Sequence, residues 1–216
     1  MNIAIDGPAG AGKSTIAKLL AGELNILYLD TGAMYRAAAL RVLRAGGDCQ
    51  NPADAERIAG GADIAVRYEG GAQRVYLDGA DVTAAIREPH ISKAASDVSA
   101  HPAVRYKMVE LQREIAKNTD MILDGRDIGT FVLPHAAYKF FLTADADERA
   151  RRRYDEQKAK GMRVDLNLVK AEILARDAND SGRALAPLKK AADAVEIDTT
   201  ALSIAEVVQK LLSYIR

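Results

Sequence analysis

Short apolar runs alternate along the chain with longer stretches whose apolar residues recur every three or four positions. Ile3-Ala4-Ile5 predicts a buried strand over 2–6, and Ile16, Leu19, Leu20 and Leu24 predict a helix from Ser14 to Leu24. Ile26 to Leu29 repeats the strand signal, ending at Asp30, and Thr31-Gly32 opens a helix through Ala37, Leu40, Val42 and Leu43 to Gly46-Gly47. Asn51-Pro52 is an N-cap followed by proline, so a short helix to about Gly60 is expected. The period then changes. Ile64, Val66 and Tyr68, the turn Gly70-Gly71, and Val75 and Leu77 before Asp78-Gly79 alternate as a hairpin does, which marks a small β insertion over 61–86.

Helical periodicity returns over 88–99 and over 103–117, where Val104, Met108, Leu111 and Ile115 share a face. Met121 to Gly125 and Lys139 to Thr143 read as buried strands. Asp145 to Glu148 has capping-box spacing for a basic helix to Lys160, Gly161 breaks it, and another helix spans 165–182. Ala194 to Asp198 is the last strand, and Ser203 to Glu206 caps a final helix striped by Val207, Val208, Leu211, Leu212 and Ile215. Strands alternating with helices predict an α/β fold, a doubly wound parallel sheet with helices on both faces and sites at the strand C-terminal ends.

The loop after the first strand carries the strongest chemical signal. Gly7-Pro8-Ala9-Gly10-Ala11-Gly12-Lys13-Ser14-Thr15 fits G-x-x-x-x-G-K-[ST], between a buried strand and a helix as that motif requires. Its glycines let successive amides converge on an anionic oxygen at the positive end of the helix. All nine residues are therefore assigned to ATP binding in a P-loop NTPase core. Lys13 reaches the β and γ phosphates, and the Ser14 hydroxyl is placed to ligate Mg²⁺. Asp124, ending its strand as a Walker-B carboxylate does, is expected to hold the same Mg²⁺ through water.

The chain's 216 residues fit one such core with insertions, and its 30 basic and 30 acidic residues cancel. No net field favours nucleic acid or an anionic membrane. The single Cys49 excludes an internal disulfide framework and suits a reducing compartment. No signal-peptide pattern opens the chain and no run approaches the ~18 apolar residues of a membrane span. A soluble, cytoplasmic monomer is expected. His90, His101 and His135 are not at metal-ligand spacing.

Polar clusters fall at the expected strand ends: Asp30 to Arg36, Asp124 to Asp127, and Arg176, Asp180 and Arg183 on one helical face. Arg36 and Arg126 are candidates for a second anion site, because a planar guanidinium grips phosphate oxygens bidentately; the competing reading pairs them with Asp30 and Asp124. Arg149, Arg151, Arg152 and Arg153 cluster before Gly161 and suggest a lid over 149–164, with Arg152 and Arg153 assigned to catalysis beside Lys13 and Arg126; interspersed acids offer ordinary salt pairs instead.

These motifs together resemble bacterial cytidylate kinase. The resemblance rests on the phosphate loop, Asp30 to Arg36, Lys93-Ala94-Ala95-Ser96, Asp124-Gly125-Arg126-Asp127-Ile128-Gly129-Thr130, and Arg176 to Arg183 followed by Ala186-Pro187-Leu188, and it spans essentially the whole chain. It implies a single kinase domain over 1–216 whose β insertion lies on the nucleoside-monophosphate side. It also implies transfer of the γ-phosphoryl of MgATP to CMP or dCMP. Ser96, Arg105, Asp127 and Arg183 would surround the cytosine, Arg176 and Asp180 would lie near the ribose, and Arg36 and Arg126 near the acceptor phosphate. Thr31, also assigned to CMP, stands where the family more often has Ser. The rivals are a kinase for another acceptor such as UMP, and a nucleotide-dependent switch; a GTPase would carry N-K-x-D, which is absent.

Overall fold

The computed structural model describes residues 1–215. In chain order its elements are β1 (Asn2–Asp6), α1 (Lys13–Leu24), β2 (Leu27–Asp30), α2 (Thr31–Arg44), α3 (Pro52–Asp54), β3 (Ile64–Glu69), β4 (Ala72–Leu77), β5 (Ala80–Asp81), α4 (Pro89–Val98) and α5 (Pro102–Ala116). There follow β6 (Met121–Gly125), β7 (Tyr138–Thr143), α6 (Ala146–Ala159), α7 (Leu166–Ser181), β8 (Val195–Asp198) and α8 (Ile204–Leu212). The chain divides into two compact units, one comprising Met1–Tyr28 and the chain from Thr119 onward, the other Leu29–Asn118.

The first unit is built on a sheet ordered β2-β6-β1-β7-β8. β1 lies between β6 and β7 and runs parallel to both, and β8 runs parallel to β7. Such centrally placed strands are covered on both faces, which is why Ile3, Ala4, Ile5, Ile122, Leu123 and Leu142 are all fully buried. Ile16, Ala17 and Leu20 of α1 and Val207 and Leu211 of α8 pack onto the same core. This is the α/β fold expected, a parallel sheet flanked by helices.

Local sequence decides several helix ends. Ser203 and Glu206 form the predicted capping box, with the Ser203 amide donating to the Glu206 carboxylate at 2.8 Å. The box predicted at Asp145 does not form. Glu148 is taken instead by Arg151 and Arg152, at 2.7 and 2.9 Å, and the Asp145 amide donates to the Thr200 hydroxyl at 2.9 Å. The stripe of α1 is narrower than predicted: Leu19 is exposed, and Ala17 and Ala21 fill its place in the core.

In the second unit β3, β4 and β5 form the predicted antiparallel sheet, Ile64 opposite Leu77 and Glu69 opposite Ala72 across the Gly70-Gly71 turn. Helix α2 packs against α4, α5 and β4, a close approach its fully buried Ala37, Ala38 and Ala39 permit. The buried face of α5 is Val104, Arg105, Met108, Val109, Gln112 and Ala116. Leu111 and Ile115 are only half-buried, because the interior stripe is rotated to take in two polar side chains.

The bend into the phosphate loop leaves no room for a Cβ at Gly7, which has φ +147° and whose added Cβ would lie 2.0 Å from the Leu142 carbonyl oxygen. Gly12, at φ +83°, has no atom within 4 Å of that position. Gly12→Ala is therefore expected to cost about 1–2 kcal/mol, the penalty of a left-handed backbone, and Gly7→Ala distinctly more. Thermal melts of the two variants check this; equal losses would contradict the steric account.

Candidate active site

β1 delivers the phosphate loop to the C-terminal edge of the first unit's sheet, and α1 begins at Lys13 with its amino end towards the loop. Lys13 is buried, and its ammonium donates to the Pro8 carbonyl at 2.7 Å. Burial, then the nearby Arg126 and Arg176, push that ammonium well below the ordinary lysine range, against the opposing pull of Asp124 and Asp180. A cation so crowded by cations favours a ligand that brings negative charge.

At Ala9 the loop backbone is engaged through both its amide and its carbonyl. The Ala9 amide donates to Asp177 at 2.9 Å, and its carbonyl accepts from Arg149 at 2.8 Å. Arg149 also pairs with Asp177 and donates to the Ala144 carbonyl at 2.9 Å. Arg149, grouped by sequence with the lid arginines, is buried and braces the loop, because its own helix packs directly against Gly10.

Asp124 gathers two hydroxyl donors, Ser14 at 2.7 Å and Tyr28 at 2.9 Å. Ser14 and Asp124, both assigned to Mg²⁺ from the sequence, are thus hydrogen-bonded to each other. Asp6, at the end of β1, accepts from the amides of Ile128 and Gly129, both at 2.8 Å. Burial pushes the Asp6 carboxyl up to about 7 in spite of those donors. The same two bonds anchor the wide helical turn Ile128–Val132 that follows Asp127. Asp127 is buried at the start of that turn, where its carbonyl accepts from Phe131 and Val132 at 2.9 and 3.0 Å.

Arg126 is not paired with Asp124. Its Nε donates to Asp180 at 2.8 Å, and Arg183 pairs with the other oxygen of the same carboxylate. Burial alone would raise Asp180, yet Arg126, Arg183 and Arg176 together hold it below the usual carboxylate range. One prediction about this trio is corrected: α7 ends at Ser181, so Arg183 lies beyond the helix that carries Arg176 and Asp180. The chain folds back there, and the Asp180 carbonyl accepts from Leu188 at 2.9 Å.

The second unit holds the other predicted residues. Asp30 caps α2 by accepting from Ala33 at 3.0 Å, with Thr31 buried as the first helical residue. The same carboxylate receives Arg87 at 2.7 Å and lies 3.9 Å from Arg36. Burial opposes ionisation of Asp30, but these two guanidinium groups outweigh it and keep its pKa low. Ser96 is buried on α4, and its carbonyl accepts from the Ser99 hydroxyl at 2.8 Å. Arg105 is only 1% exposed; it donates to the Ser99 carbonyl at 3.0 Å and lies over the Tyr35 ring at 5.4 Å.

On α6, Arg152 bonds Glu148 at 2.9 Å and the hydroxyl and carbonyl of Thr199 at 3.0 and 2.6 Å. Arg153 has a single pair of this kind, to Glu156 at 2.8 Å. Sequence reasoning missed Asp6, Tyr28, Arg87 and Asp177. Asp6 alone had a local signal, a carboxylate closing an otherwise apolar strand just before the loop.

The family model for cytidylate kinase matches residues 3–216. A cytidylate kinase of Caldicellulosiruptor bescii is 53% identical over 212 residues, covering 98% of this chain and 94% of that protein. One from Halalkalibacterium halodurans is 49% identical over 216 residues, covering 100% and 97%. In fold the chain is also similar to an uncharacterized protein from Eubacterium ventriosum, with a TM-score of 0.56 at 15% identity, covering 100% of this chain and 97% of that one. No helix among the described residues is long and apolar enough to cross a membrane. With its phosphate loop, its Asp124 to Thr130 box and a match running essentially from end to end, the chain belongs to the cytidylate kinase family.

Proposed function

We propose that this protein transfers the γ-phosphoryl group of ATP, as its Mg²⁺ complex, to CMP and dCMP, giving ADP and CDP or dCDP. The carrying observation is the charge of the first unit's site. Lys13, Arg126, Arg176 and Arg183 gather there around the carboxylates Asp124 and Asp180, with Asp177 also acting on Arg126, so an ammonium and three guanidinium groups are held together largely away from water. Such a cluster is costly alone and favourable around phosphates. Names borne by the relatives point to the same acceptor, so a uridylate kinase or a nucleotide-dependent switch is not favoured.

Gly7 to Thr15 take the donor phosphates, with Lys13 on the β and γ oxygens. The Ser14 hydroxyl and Asp124 carboxylate are hard oxygen donors 2.7 Å apart, a set that suits Mg²⁺ held partly through water. When bound, the ion offsets charge on the transferring phosphoryl group. An oxygen of the CMP phosphate attacks Pγ in line while the bond from Pγ to the bridging β,γ oxygen breaks. The acceptor is already anionic, so no covalent enzyme intermediate is needed. Arg36 and Arg126 are assigned to the acceptor phosphate, Arg126 with its fork fixed by Asp180. Thr31, Arg176 and Asp180 are assigned to the sugar side.

Ser96, Arg105, Asp127 and Arg183 are assigned to the base. Cytosine presents an amine donor beside a ring-nitrogen acceptor, which suits a carboxylate and a guanidinium; uracil reverses both and leaves them unpaired. Residues 149–164 act as the lid. Within it Arg153 is the arginine best placed to swing onto developing charge, since a lone helical pair is worth roughly 0.5 kcal/mol and Arg152 has three bonds to release. The β insertion over 61–86 belongs to the nucleoside-monophosphate-binding region. The protein acts as a cytoplasmic monomer without nucleic-acid or membrane partners, a setting that suits the buried thiol of Cys49.

Steady-state rates with CMP, dCMP, UMP and AMP test the reading; a clear preference for UMP or AMP would overturn it. Lys13→Ala is expected to lower kcat by about 10²-fold or more with an unchanged melting temperature, and near-normal kcat would contradict its role. Asp127→Ala is expected to collapse the kcat/KM preference for CMP over UMP by about 10²-fold or more. A preserved ratio would show that the base is read elsewhere.

A further inference from the structure

The β insertion has one polar residue where its pattern calls for an apolar one. Along β4 the positions Gln73, Val75 and Leu77 share a face by strand alternation, and Val75 and Leu77 are buried. Gln73 turns its side-chain amide onto the backbone of a single residue: its Oε1 accepts from the Asp30 amide at 2.7 Å, and its Nε2 donates to the Asp30 carbonyl at 3.3 Å. A side chain thus supplies both bonds that a neighbouring strand would give, at the residue where β2 stops and α2 starts. With its backbone satisfied in this way, the Asp30 carboxylate is left to cap Ala33, bind Arg87 and face Arg36.

We infer that Gln73 is a positioning residue for the acceptor phosphate: it splints Asp30, and through Asp30 sets the direction of the Arg36 guanidinium. The inference rests on the reading that Arg36 takes the acceptor phosphate. It gives the β insertion a task, which is to fix the phosphate end of the acceptor site without touching the nucleotide. Arg87 is part of the device, because its 2.7 Å bond fixes the Asp30 carboxylate that Arg36 faces at 3.9 Å. An effect exerted on the phosphate end is blind to the base. That separates it from Asp127 and from a general loss of stability.

The test compares wild type with Gln73→Leu, which keeps bulk and loses both bonds, and with Gln73→Ala, should the leucine disturb folding. KM and kcat are measured for CMP and, as a poor acceptor, UMP, with KM for ATP and the melting temperature alongside. Loss of two hydrogen bonds predicts that KM for both acceptors rises by about tenfold and by the same factor, with KM for ATP unchanged and a melting temperature within a few degrees of wild type. Unchanged acceptor KM, an unequal change for the two bases, or an equal rise in KM for ATP overturns the inference while wild-type turnover of CMP leaves the functional reading standing. Wild-type enzyme inactive towards CMP overturns that reading, and the inference with it.

Discussion

A carboxylate buried at the end of a strand must be surrounded by donors or it will not stay ionised, and this constraint organises the whole structure. β1 and β2 each end in a buried aspartate, and β6 carries one just before its end: Asp6, Asp30 and Asp124. Each draws its donors from a different source; Asp30 is held low by its guanidinium groups, whereas at Asp6 burial outweighs the donors and raises the carboxyl to about 7. Asp6 takes two backbone amides, Asp124 takes two hydroxyls, and Asp30 takes an amide and a guanidinium, with a second guanidinium nearby. Among those partners Ser14 and Arg36 are residues proposed for the nucleotide site, so the contacts that satisfy the carboxylates also set their positions.

The same accounting applies to the cations. Lys13 and Arg105 are buried, and a buried cation is tolerated only with partners or with an incoming anion. The first unit places Asp180 between Arg126 and Arg183, which holds two guanidinium groups on one carboxylate. Rigid donors need no reorganisation when charge develops during transfer, and this is the largest source of catalytic power open to a site with no nucleophile of its own. The Arg149–Asp177 brace does the same for the loop, holding the Ala9 backbone at both its amide and its carbonyl.

Much of this was legible in the sequence, and the exceptions have a common cause. The parallel sheet, the β hairpin, the phosphate loop and the Ser203 cap all follow from periodicity or from motifs a few residues long. The meeting of Ser14 with Asp124 followed from topology, since both strands feed the same sheet edge. What stayed hidden were partners chosen across the chain: Asp180 rather than Asp124 for Arg126, Asp177 for a loop amide 168 residues away, and Gln73 for Asp30. Local composition also misled at Asp145, because Glu148 had two arginines competing for it, and at Arg149, whose burial no charge pattern reveals.

The central claim is that a guanidinium fork held by Asp180, and not merely positive charge, is what the site presents to phosphate. Arg126→Lys tests it most directly, because lysine keeps the charge and loses the fork. With folding confirmed by an unchanged melting temperature, kcat/KM for CMP is expected to fall by about 10²-fold or more. A variant within a few-fold of wild type would show that charge alone suffices and would contradict the account.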